Sequence, residues 1–399
     1  MALMKADFLK YQAQTTPHPL AMEVSHAKGS YIYDTSGKAY LDFVAGVSAT
    51  SVGHGHPNVL KALREQSEKY LHVMVYGEYA QSPAVQLTRL LAELLPAPLE
   101  QTYLVNSGTE AIDGAMKLAR RVTGRQEIIS ANHAYHGNTF GALSLMNYEE
   151  RVAPFRPLVG GIRHIDYNSF EHLEQITSQT AGVVLETIQG GAGFIQPVEG
   201  WLSAVKKRCE EVGALLILDE IQPGFGRTGT FFGFQNYNVI PDIVVMGKGM
   251  GGGMPIGAFT ASTAYMQLLS NHPKLGHITT FGGHPVIAAA ALATVQTILD
   301  EKLMEQALEK EKLMRSLLIH PLIEEVRGKG LMLAAMTPSA EITSQAILQA
   351  QDEGLILFWL LFESRAIRIT PPLTISNEEI EKGCRTLIQV LDKIASKLS

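Results

Sequence analysis

Residues 215–253 read LLILDEIQPGFGRTGTFFGFQNYNVIPDIVVMGKGMGGG and contain an acid, Asp219, and a lysine among glycines, Lys248. Each follows a short apolar run, at 214–218 and at 243–246. Such runs are typical of strands that are buried on both faces of a parallel sheet. Ligands of these sheets bind beyond the carboxyl ends of the strands. We therefore predict that the two side chains face one crevice.

An acid and a lysine in one crevice are the groups that a pyridoxal 5′-phosphate (PLP) enzyme requires. The lysine forms a Schiff base with the aldehyde of the cofactor, and the acid holds the proton on the pyridinium nitrogen. We therefore predict that Lys248 and Asp219 are catalytic. The rest of the chain would then supply a phosphate site, a clamp for the ring and contacts to the substrate.

The order of the predicted elements indicates an α/β fold. Strands alternate with helices between residues 102 and 299, which predicts a mostly parallel sheet in a large domain. The predicted strands are 102–105, 127–130, 182–186, 214–219, 242–246 and 256–260. The predicted helices between them include 110–122, 200–212 and 285–299.

The pattern changes after residue 300 to that of a smaller α+β domain. Helices are predicted at 301–318, 341–353 and 377–398, and short strands at 325–326, 331–335, 355–358 and 366–370. We expect three parts of plausible domain size. They are residues 1–50, an N-terminal arm and meander that packs with the small domain, residues 51–300, the large PLP-binding domain, and residues 301–399, the small domain.

A polar turn between the strand at 102–105 and the following helix indicates an anion site. Ser107, Gly108 and Thr109 open that helix. Free backbone N–H groups and the helix dipole favour a phosphate at such a position. An ordinary N-cap at Thr109 is the alternative for this turn, because Ser and Thr caps are common.

Three further side chains, Tyr135, Glu186 and Arg368, are candidates for the crevice. Tyr135 could stack on a flat ring, although aromatic residues more often pack in a core. Glu186 could face the crevice or lie in a surface loop, and Glu220 should point away from the side of Asp219. Arg368 could clamp a substrate carboxylate or lie on an exposed edge strand.

Two motifs formally match other kinds of site, and we reject both readings. Residues 247–252 fit GxGxxG, but no acid occurs between residues 253 and 299 to hold a ribose. No Ser or Thr follows Lys248, as a Walker loop would require. His54 and His56 lack a nearby third ligand, so we predict no metal site.

Composition excludes several classes of protein. The chain has 399 residues, 46% of them hydrophobic, which is enough for a large core. A net charge of −6 with no basic cluster argues against a nucleic-acid partner. No apolar run approaches the length of a membrane span, and Cys209 and Cys384 indicate a reducing compartment. We therefore expect a cytoplasmic protein.

Motifs along nearly the whole chain resemble those of the class III (subgroup II) aminotransferases, which are PLP enzymes of fold type I. The resemblance is closest to the acetylornithine/ornithine aminotransferase branch. The motifs that carry it are GSYIYDTSGKAYLDFVAG, GHGHP, NSGTEA, AYHG, LETIQGGAG, LILDEIQPGFGRTG, MGKGMGGGMPIGA, TTFGGHP and IRITPPL. Their order and spacing are specific to the superfamily.

The resemblance implies a role for each cofactor contact. Lys248 would carry the Schiff base and shuttle a proton, Asp219 would pair with the pyridine nitrogen, and Gln222 would contact the ring hydroxyl. Tyr135 would stack on the ring, and Thr280 would reach the phosphate in a neighbouring subunit, since the family is homodimeric. The full predicted cofactor set is Ser107, Gly108, Thr109, Tyr135, His136, Glu186, Asp219, Gln222, Lys248 and Thr280.

Three positions depart from the acetylornithine/ornithine pattern. That branch usually has an arginine where Asn138 stands, ornithine enzymes have a glutamate in place of Gly191, and a tyrosine that helps ornithine bind is replaced by Val47. Without the glutamate, Arg368 should stay open to a substrate carboxylate. The predicted substrate-binding residues are Arg368, Asn138, Val47, Tyr76 and Glu78.

The implied reaction is a ping-pong transamination. An amino donor, acetylornithine- or ornithine-like or another ω- or β-amino compound, would give its nitrogen to a 2-oxo acid such as 2-oxoglutarate. Another PLP reaction on the same fold, such as that of an aminomutase, racemase or decarboxylase, is the alternative. A PLP-binding protein without catalysis is disfavoured because Lys248, Asp219 and the phosphate turn are intact.

Overall fold

A computed structural model describes residues 2–74 and 76–398 of the chain. Its strands are β1 Val24–Lys28, β2 Tyr31–Asp34, β3 Ala39–Asp42, β4 Gln101–Val105, β5 Glu127–Ala131, β6 Ile162–Ile165, β7 Thr180–Glu186, β8 Leu215–Asp219, β9 Ile243–Gly247, β10 Gly257–Ala261, β11 Glu325–Lys329, β12 Met332–Met336, β13 Leu355–Ile356, β14 Phe358–Trp359 and β15 Ala366–Ile369.

The α-helices are α1 Ala2–Tyr11, α2 Ala45–Ser48, α3 Pro57–Lys69, α4 Ser82–Leu94, α5 Gly108–Thr123, α6 Phe140–Ser144, α7 Glu149–Val152, α8 Trp201–Val212, α9 Thr263–Met266, α10 Pro285–Asp300, α11 Leu303–Leu317, α12 Ala340–Asp352 and α13 Asn377–Leu398.

The central sheet has seven strands in the order β4-β10-β9-β8-β7-β5-β6. Strand β10 runs antiparallel to β4 and β9, and the pairs from β9 to β6 are parallel, so the sheet is mostly parallel as predicted. Every residue of β7, β8 and β9 is buried. This burial on both faces explains why these strands are continuous apolar runs in the sequence.

The pleat of β8 decides which side of the sheet each of its side chains faces. Ile217 packs in the cluster that contains α5, whereas Leu216 and Leu218 pack in the cluster on the other face. Because side chains alternate along a strand, Asp219 lies on the α5 face with Ile217. The last residue of β8 therefore points toward the helix that opens with the polar turn.

Two smaller sheets lie outside the central one, in the orders β1-β2-β3-β13 and β11-β12-β15-β14. The single strand predicted at 355–358 is wrong, because the chain changes sheet at Leu357. Strand β13 pairs in parallel with β3, and β14 pairs with β15. The N-terminal meander is thereby joined to the C-terminal region. The division of the chain into three domains stays a prediction.

One strand of the central sheet was missed from the sequence. Strand β6 lies at the edge of the sheet and carries Arg163 and His164, so it has no apolar run to mark it. Its burial alternates with exposure, as is usual where one side of a strand meets solvent.

Polar residues outside the sheet have structural partners. His54 Nε2 lies 2.8 Å from an Asp42 carboxylate oxygen, and His56 caps α3 by accepting the N–H of Asn58. Among residues 2–74 and 76–398 there is no group of three metal-ligating side chains and no helix long and apolar enough to cross a membrane.

Arg227 ties the loop after β8 to the C-terminal region. The residue is 1% exposed, and its Nη1 donates to the carbonyl oxygens of Leu331, at 2.8 Å, and Pro371, at 2.9 Å. Burial lowers the pKa of its guanidinium to about 9. These hydrogen bonds hold the segments beside β12 and β15 against the loop that follows Asp219.

We expect the substitution Arg227→Met to destabilise the protein, because it removes the donor from two buried carbonyl groups. A buried polar group that loses its partner costs about 1–3 kcal/mol, so the free energy of unfolding should fall by about 2–5 kcal/mol in urea denaturation. Arg89→Met is the matched control, since the Arg89 side chain is 79% exposed and pairs with Glu93 on α4. If the two variants had the same free energy of unfolding, the proposed stabilising role of the Arg227 hydrogen bonds would be contradicted.

Candidate active site

A cavity of about 320 Å³ opens at the carboxyl ends of β7, β8 and β9. It brings together most of the side chains that the sequence singled out. The lining residues are Val47, Gly108, Thr109, Tyr135, His136, Gly137, Asn138, Glu186, Gly191, Asp219, Ile221, Gln222, Pro223, Lys248, Leu361 and Arg368.

Asp219 is held at the base of the cavity by two hydrogen bonds. Its Oδ1 accepts the N–H of Ile221 at 2.9 Å, and its Oδ2 lies 2.8 Å from Nδ1 of His136. Burial lowers the pKa of His136, but the hydrogen bond and charge of Asp219 oppose it and the net shift is upward. The imidazole therefore stays a donor to the carboxylate and fixes its orientation.

Glu186 lies beside Asp219, because the two residues are register partners on β7 and β8. Its carboxylate accepts the N–H groups of Gly190, at 2.9 Å, and Tyr135, at 3.1 Å. Glu186 is 8% exposed, so the surface-loop alternative is wrong. Burial raises its pKa to about 7, while the charge of His136 counteracts this rise.

Lys248 follows β9 and lines the same cavity as Asp219 and Glu186. Its φ of 38° is in the left-handed region, which is unusual for a residue other than glycine. This backbone conformation turns the chain at Lys248 away from the direction of the strand. Desolvation lowers the pKa of its amine to about 8, although the charge of Asp219 acts in the opposite direction. A lysine with this pKa is a competent nucleophile near neutral pH.

The polar turn at the start of α5 forms the next wall. Ser107, not Thr109, is the N-cap, since its hydroxyl accepts the N–H of Glu110 at 3.4 Å. The N–H groups of Gly108 and Thr109 make no hydrogen bond in the described part of the chain. A Cβ at Gly108 would come within 2.6 Å of the Cδ1 atom of Ile221, so a side chain there would require Ile221, which lines the cavity, to shift.

A strained turn supplies the wall opposite β8. Ala45, Gly46, Val47 and Ser48 all have positive φ values, between 50° and 68°. This conformation costs about 1–2 kcal/mol for each residue other than glycine, so it needs support from the surrounding structure. Part of that support is a 3.3 Å hydrogen bond from Gln222 to the hydroxyl of Ser48.

Arg368 reaches the cavity from the C-terminal region. It is 4% exposed, its strand β15 lies between β12 and β14, and the exposed-edge alternative is therefore wrong. Nε lies 3.5 Å from the Trp359 carbonyl oxygen, the guanidinium is 5.8 Å from the Phe194 ring, and Nη1 has no partner. Burial lowers the pKa of Arg368 to about 10.

Four predicted site residues are not among those that line the cavity, namely Ser107, Tyr76, Glu78 and Thr280. The hydroxyls of Tyr76 and Thr280 are 3.4 Å apart on the surface, and Glu78 is exposed close by. Two contributors were missed from the sequence. Ile221 could have been found, because it stands two residues after Asp219. Leu361 carries no local signal, since only the folding of the C-terminal region brings it there.

The unpaired donors of the cavity fit PLP. Nε2 of His136 and Nη1 of Arg368 are buried without a partner, and the start of α5 offers two free N–H groups. A helix start is suited to a phosphate. The acid Asp219 and the amine of Lys248 are the groups that a pyridine nitrogen and an aldehyde require.

Comparison with known proteins shows the family. The sequence profile of the aminotransferase class-III family matches residues 11–391. The chain belongs to the class III aminotransferases. It is 39% identical over 367 residues to the acetylornithine aminotransferase of Methanopyrus kandleri, covering 91% of this chain and 92% of that enzyme. For the acetylornithine aminotransferase of Methanosarcina acetivorans the identity is 38% over 392 residues, with 96% and 94% covered.

Solved structures of related enzymes share the fold. The ornithine aminotransferase of Toxoplasma gondii superposes with a TM-score of 0.92 at 29% identity, covering 99% of this chain and 95% of that one. Another structure of that enzyme has PLP at partial occupancy in its active site. A thermostable (S)-enantioselective omega-transaminase from Thermomicrobium roseum superposes with a TM-score of 0.89 at 30% identity, covering 98% of both chains.

These relationships confirm the predicted class of activity. The protein is a PLP-dependent aminotransferase with the fold of its family, and its substrates are small amino donors and oxo acids.

In the cofactor-free enzyme, the pKa of about 8 should set the pH at which Lys248 reacts. Trinitrophenylation of Lys248 by trinitrobenzenesulfonate, in which the amine displaces sulfite from the ring, should be half-maximal near pH 8 when followed by mass spectrometry. The charge of Arg368 lowers this pKa and that of Asp219 raises it. Arg368→Met should therefore move the midpoint up and Asp219→Asn should move it down. One common midpoint for all three proteins would show that these charges do not control the amine.

Proposed function

We propose that this aminotransferase works by a ping-pong sequence. An acetylornithine- or ornithine-like donor, or another ω- or β-amino compound, gives its amino group to a 2-oxo acid such as 2-oxoglutarate. The observation that carries the proposal is Arg368, a buried guanidinium with an unpaired Nη1 in the same cavity as Lys248. A buried cation without a counter-charge is costly unless an anion completes it. A substrate carboxylate is such an anion.

PLP, when bound, supplies an aldehyde that accepts nitrogen and a ring that withdraws electrons. Lys248 would move a proton to and from the substrate carbon through its Nζ atom. Asp219, oriented by His136, would keep the ring nitrogen protonated. Glu186 would hold the backbone of Tyr135 so that its side chain covers the ring.

Other contacts would hold the cofactor in place. We infer that Ser107, Gly108 and Thr109 bind the phosphate at the start of α5, where two N–H groups are free. The side chain of Gln222, steadied by Ser48, would contact the ring hydroxyl. Each of these inferences combines the family resemblance with the position of the residue at the cavity.

The residues facing the substrate support a donor other than an α-amino acid. Asn138, Gly191 and Val47 all line the cavity and are smaller than the arginine, glutamate and tyrosine of the acetylornithine/ornithine pattern. No carboxylate lies within ion-pair distance of Arg368 among residues 2–74 and 76–398. The guanidinium is thus open to an oxo acid, and the smaller side chains of Asn138 and Val47 leave room for an extended donor.

A first experiment adds single donors to the PLP-loaded enzyme without an oxo acid and follows the absorbance of the bound cofactor. We expect bleaching by ω- or β-amino compounds and by glutamate, and formation of glutamate when 2-oxoglutarate is then added. Persistence of the absorbance with every donor would refute transamination. Product without transfer of nitrogen would favour an aminomutase, racemase or decarboxylase.

Arg368→Met should raise the KM for 2-oxoglutarate by roughly 10- to 100-fold, the effect of losing one charge-assisted hydrogen bond. Bleaching by pentylamine, which has no carboxylate, should stay within about threefold of the wild-type rate. Steady-state and single-turnover kinetics measure the two effects. If Arg368→Met impaired the reactions of 2-oxoglutarate and pentylamine equally, the substitution would have damaged the cavity, and Arg368 would not be the carboxylate clamp.

We propose that the protein is a homodimer with shared active sites. Exposed apolar side chains lie around Thr280, among them Phe281, which is 55% exposed, Leu71 and Met74. The ring of His72 packs against Phe281 at 5.0 Å. An exposed apolar patch of this kind marks an interaction surface. Thr280 would then reach the phosphate site of the partner subunit.

The substitution Phe281→Arg should shift the protein toward monomer and weaken its retention of PLP, because it places a charge in the proposed interface. Phe170→Arg is the matched control, since Phe170 is 50% exposed at another part of the surface. Light scattering coupled to size exclusion measures the mass, and absorbance measures the bound PLP. Dimers that persist in both variants would rule out this surface.

We also propose a cytoplasmic location. The two cysteines, Cys209 and Cys384, are free thiols buried in α8 and α13, as is usual in a reducing compartment.

A further inference from the structure

The outer end of the cavity has an uncharged amide next to His136 and Gly137, at a position where the acetylornithine/ornithine pattern has an arginine. Asn138 stands at that position, and its amide donates to the hydroxyl of Tyr135 at 3.1 Å. The amide is uncharged and engaged with a neighbour, so it does not replace a guanidinium. A cation for the far end of a substrate must come from another part of the chain.

The ring of Phe362 occupies the space beside Gly191, which lines the same cavity. The backbone N–H of Phe362 donates to the Gly191 carbonyl at 2.9 Å. A Cβ added at Gly191 would be 2.7 Å from the ring. The absence of a side chain at residue 191 and the position of Phe362 therefore depend on each other, because the ring fills the space that a side chain at 191 would need.

Arg151 lies on this aromatic platform. Its guanidinium carbon is 5.7 Å from the centroid of the Phe362 ring, which is within the range of a cation–π contact. The ring of Tyr148 packs against the same platform at 5.1 Å. Stacking on a ring orients a guanidinium while its N–H groups stay available to a ligand.

Arg151 is exposed and has no acidic partner. Glu149, two residues away, is engaged by Arg156 at 2.5 Å, and no carboxylate lies within 4.0 Å of Arg151 in the described residues. Its charge also acts on the cavity. Burial raises the pKa of the Tyr135 hydroxyl, and the charge of Arg151 is the foremost influence that opposes this rise.

We propose that Arg151, seated on Phe362, binds the distal carboxylate of the substrate in place of the missing arginine. The substrates would be compounds with a carboxylate at the end remote from the reacting carbon, namely ω-amino acids and oxo acids with a second carboxylate. This inference rests on the proposed function, in which Arg368 holds the carboxylate next to the reacting carbon. In a dicarboxylate such as 2-oxoglutarate, Arg368 and Arg151 would then bind the two carboxylates of one molecule.

The test uses two unreactive ligands that differ by one carboxylate. Calorimetry would measure the Kd of glutarate and of pentanoate for the PLP-loaded enzyme. We expect glutarate to bind more tightly than pentanoate, and Arg151→Gln to reduce this advantage by roughly threefold to tenfold, in keeping with an exposed ion pair. Arg151→Glu should make glutarate the weaker ligand. Phe362→Leu, which removes the platform, should reduce the advantage in part.

Arg89→Gln is the matched control, because the Arg89 side chain is 79% exposed, pairs with Glu93 on α4 and does not line the cavity. It should leave both Kd values unchanged. If Arg151→Gln and Arg89→Gln gave the same ratio of Kd values as the wild type, the inference would be overturned while the proposed function stood. If pentanoate failed to bind, or bound equally well to Arg368→Met, the Arg368 clamp itself would fail.

The KM values measured in turnover provide a second test of the role of Arg151. Arg151→Gln should raise the KM for glutamate and leave that for norvaline, which has a methyl group in place of the distal carboxylate, unchanged. It should likewise raise the KM for 5-aminopentanoate and not that for pentylamine. A uniform change in all four would contradict the assignment of the distal carboxylate to Arg151.

Discussion

Charged groups of both signs surround one cavity without pairing completely, and the structure around the cavity is arranged to hold them. Asp219 and Glu186 are satisfied by backbone N–H groups and by His136. Within the described residues, 2–74 and 76–398, Lys248 and Arg368 have no carboxylate partner, and burial lowers the pKa of each. Unpaired charge in a poorly solvated site is costly, so both cations gain from a ligand that brings an aldehyde, a phosphate or a carboxylate.

The adjacent acids Asp219 and Glu220 point to opposite sides of the sheet, and one lines the cavity while the other binds the backbone of a loop. Asp219 ends β8 on the α5 side and opens into the cavity, whereas Glu220 is fully buried on the other side. The carboxylate of Glu220 accepts the N–H groups of Gly233 and Phe234 and the hydroxyl of Thr187. It thereby holds the long loop that returns toward β9 and keeps the walls of the cavity at a fixed separation.

The cavity has two ends of different character. The deep end, with Lys248, Asp219 and the start of α5, has the residues expected throughout the class III aminotransferases. The outer end differs from the acetylornithine and ornithine pattern. Two of its residues depend on each other, since the ring of Phe362 occupies the space that a side chain at Gly191 would need. In the proposed function, the deep end carries out the chemistry and the outer end sets the preference for the donor.

The sequence by itself determined the parts of the site that follow from local rules. Apolar runs predicted the strands, and the rule that ligands bind beyond their carboxyl ends brought Asp219 and Lys248 together. The polar turn before α5 and the family motifs were equally visible. Local signals suffice here because each depends on a few consecutive residues.

Only the tertiary structure decided which alternatives hold. The sequence left Arg368 between a clamp and an exposed edge; the position of β15 between two strands excludes the exposed edge, and the clamp stays a proposal. The pairing of His136 with Asp219, and the placement of Phe362 over Gly191, join residues far apart in the chain. Such contacts depend on how strands and loops pack, and no periodicity or spacing in the sequence encodes them.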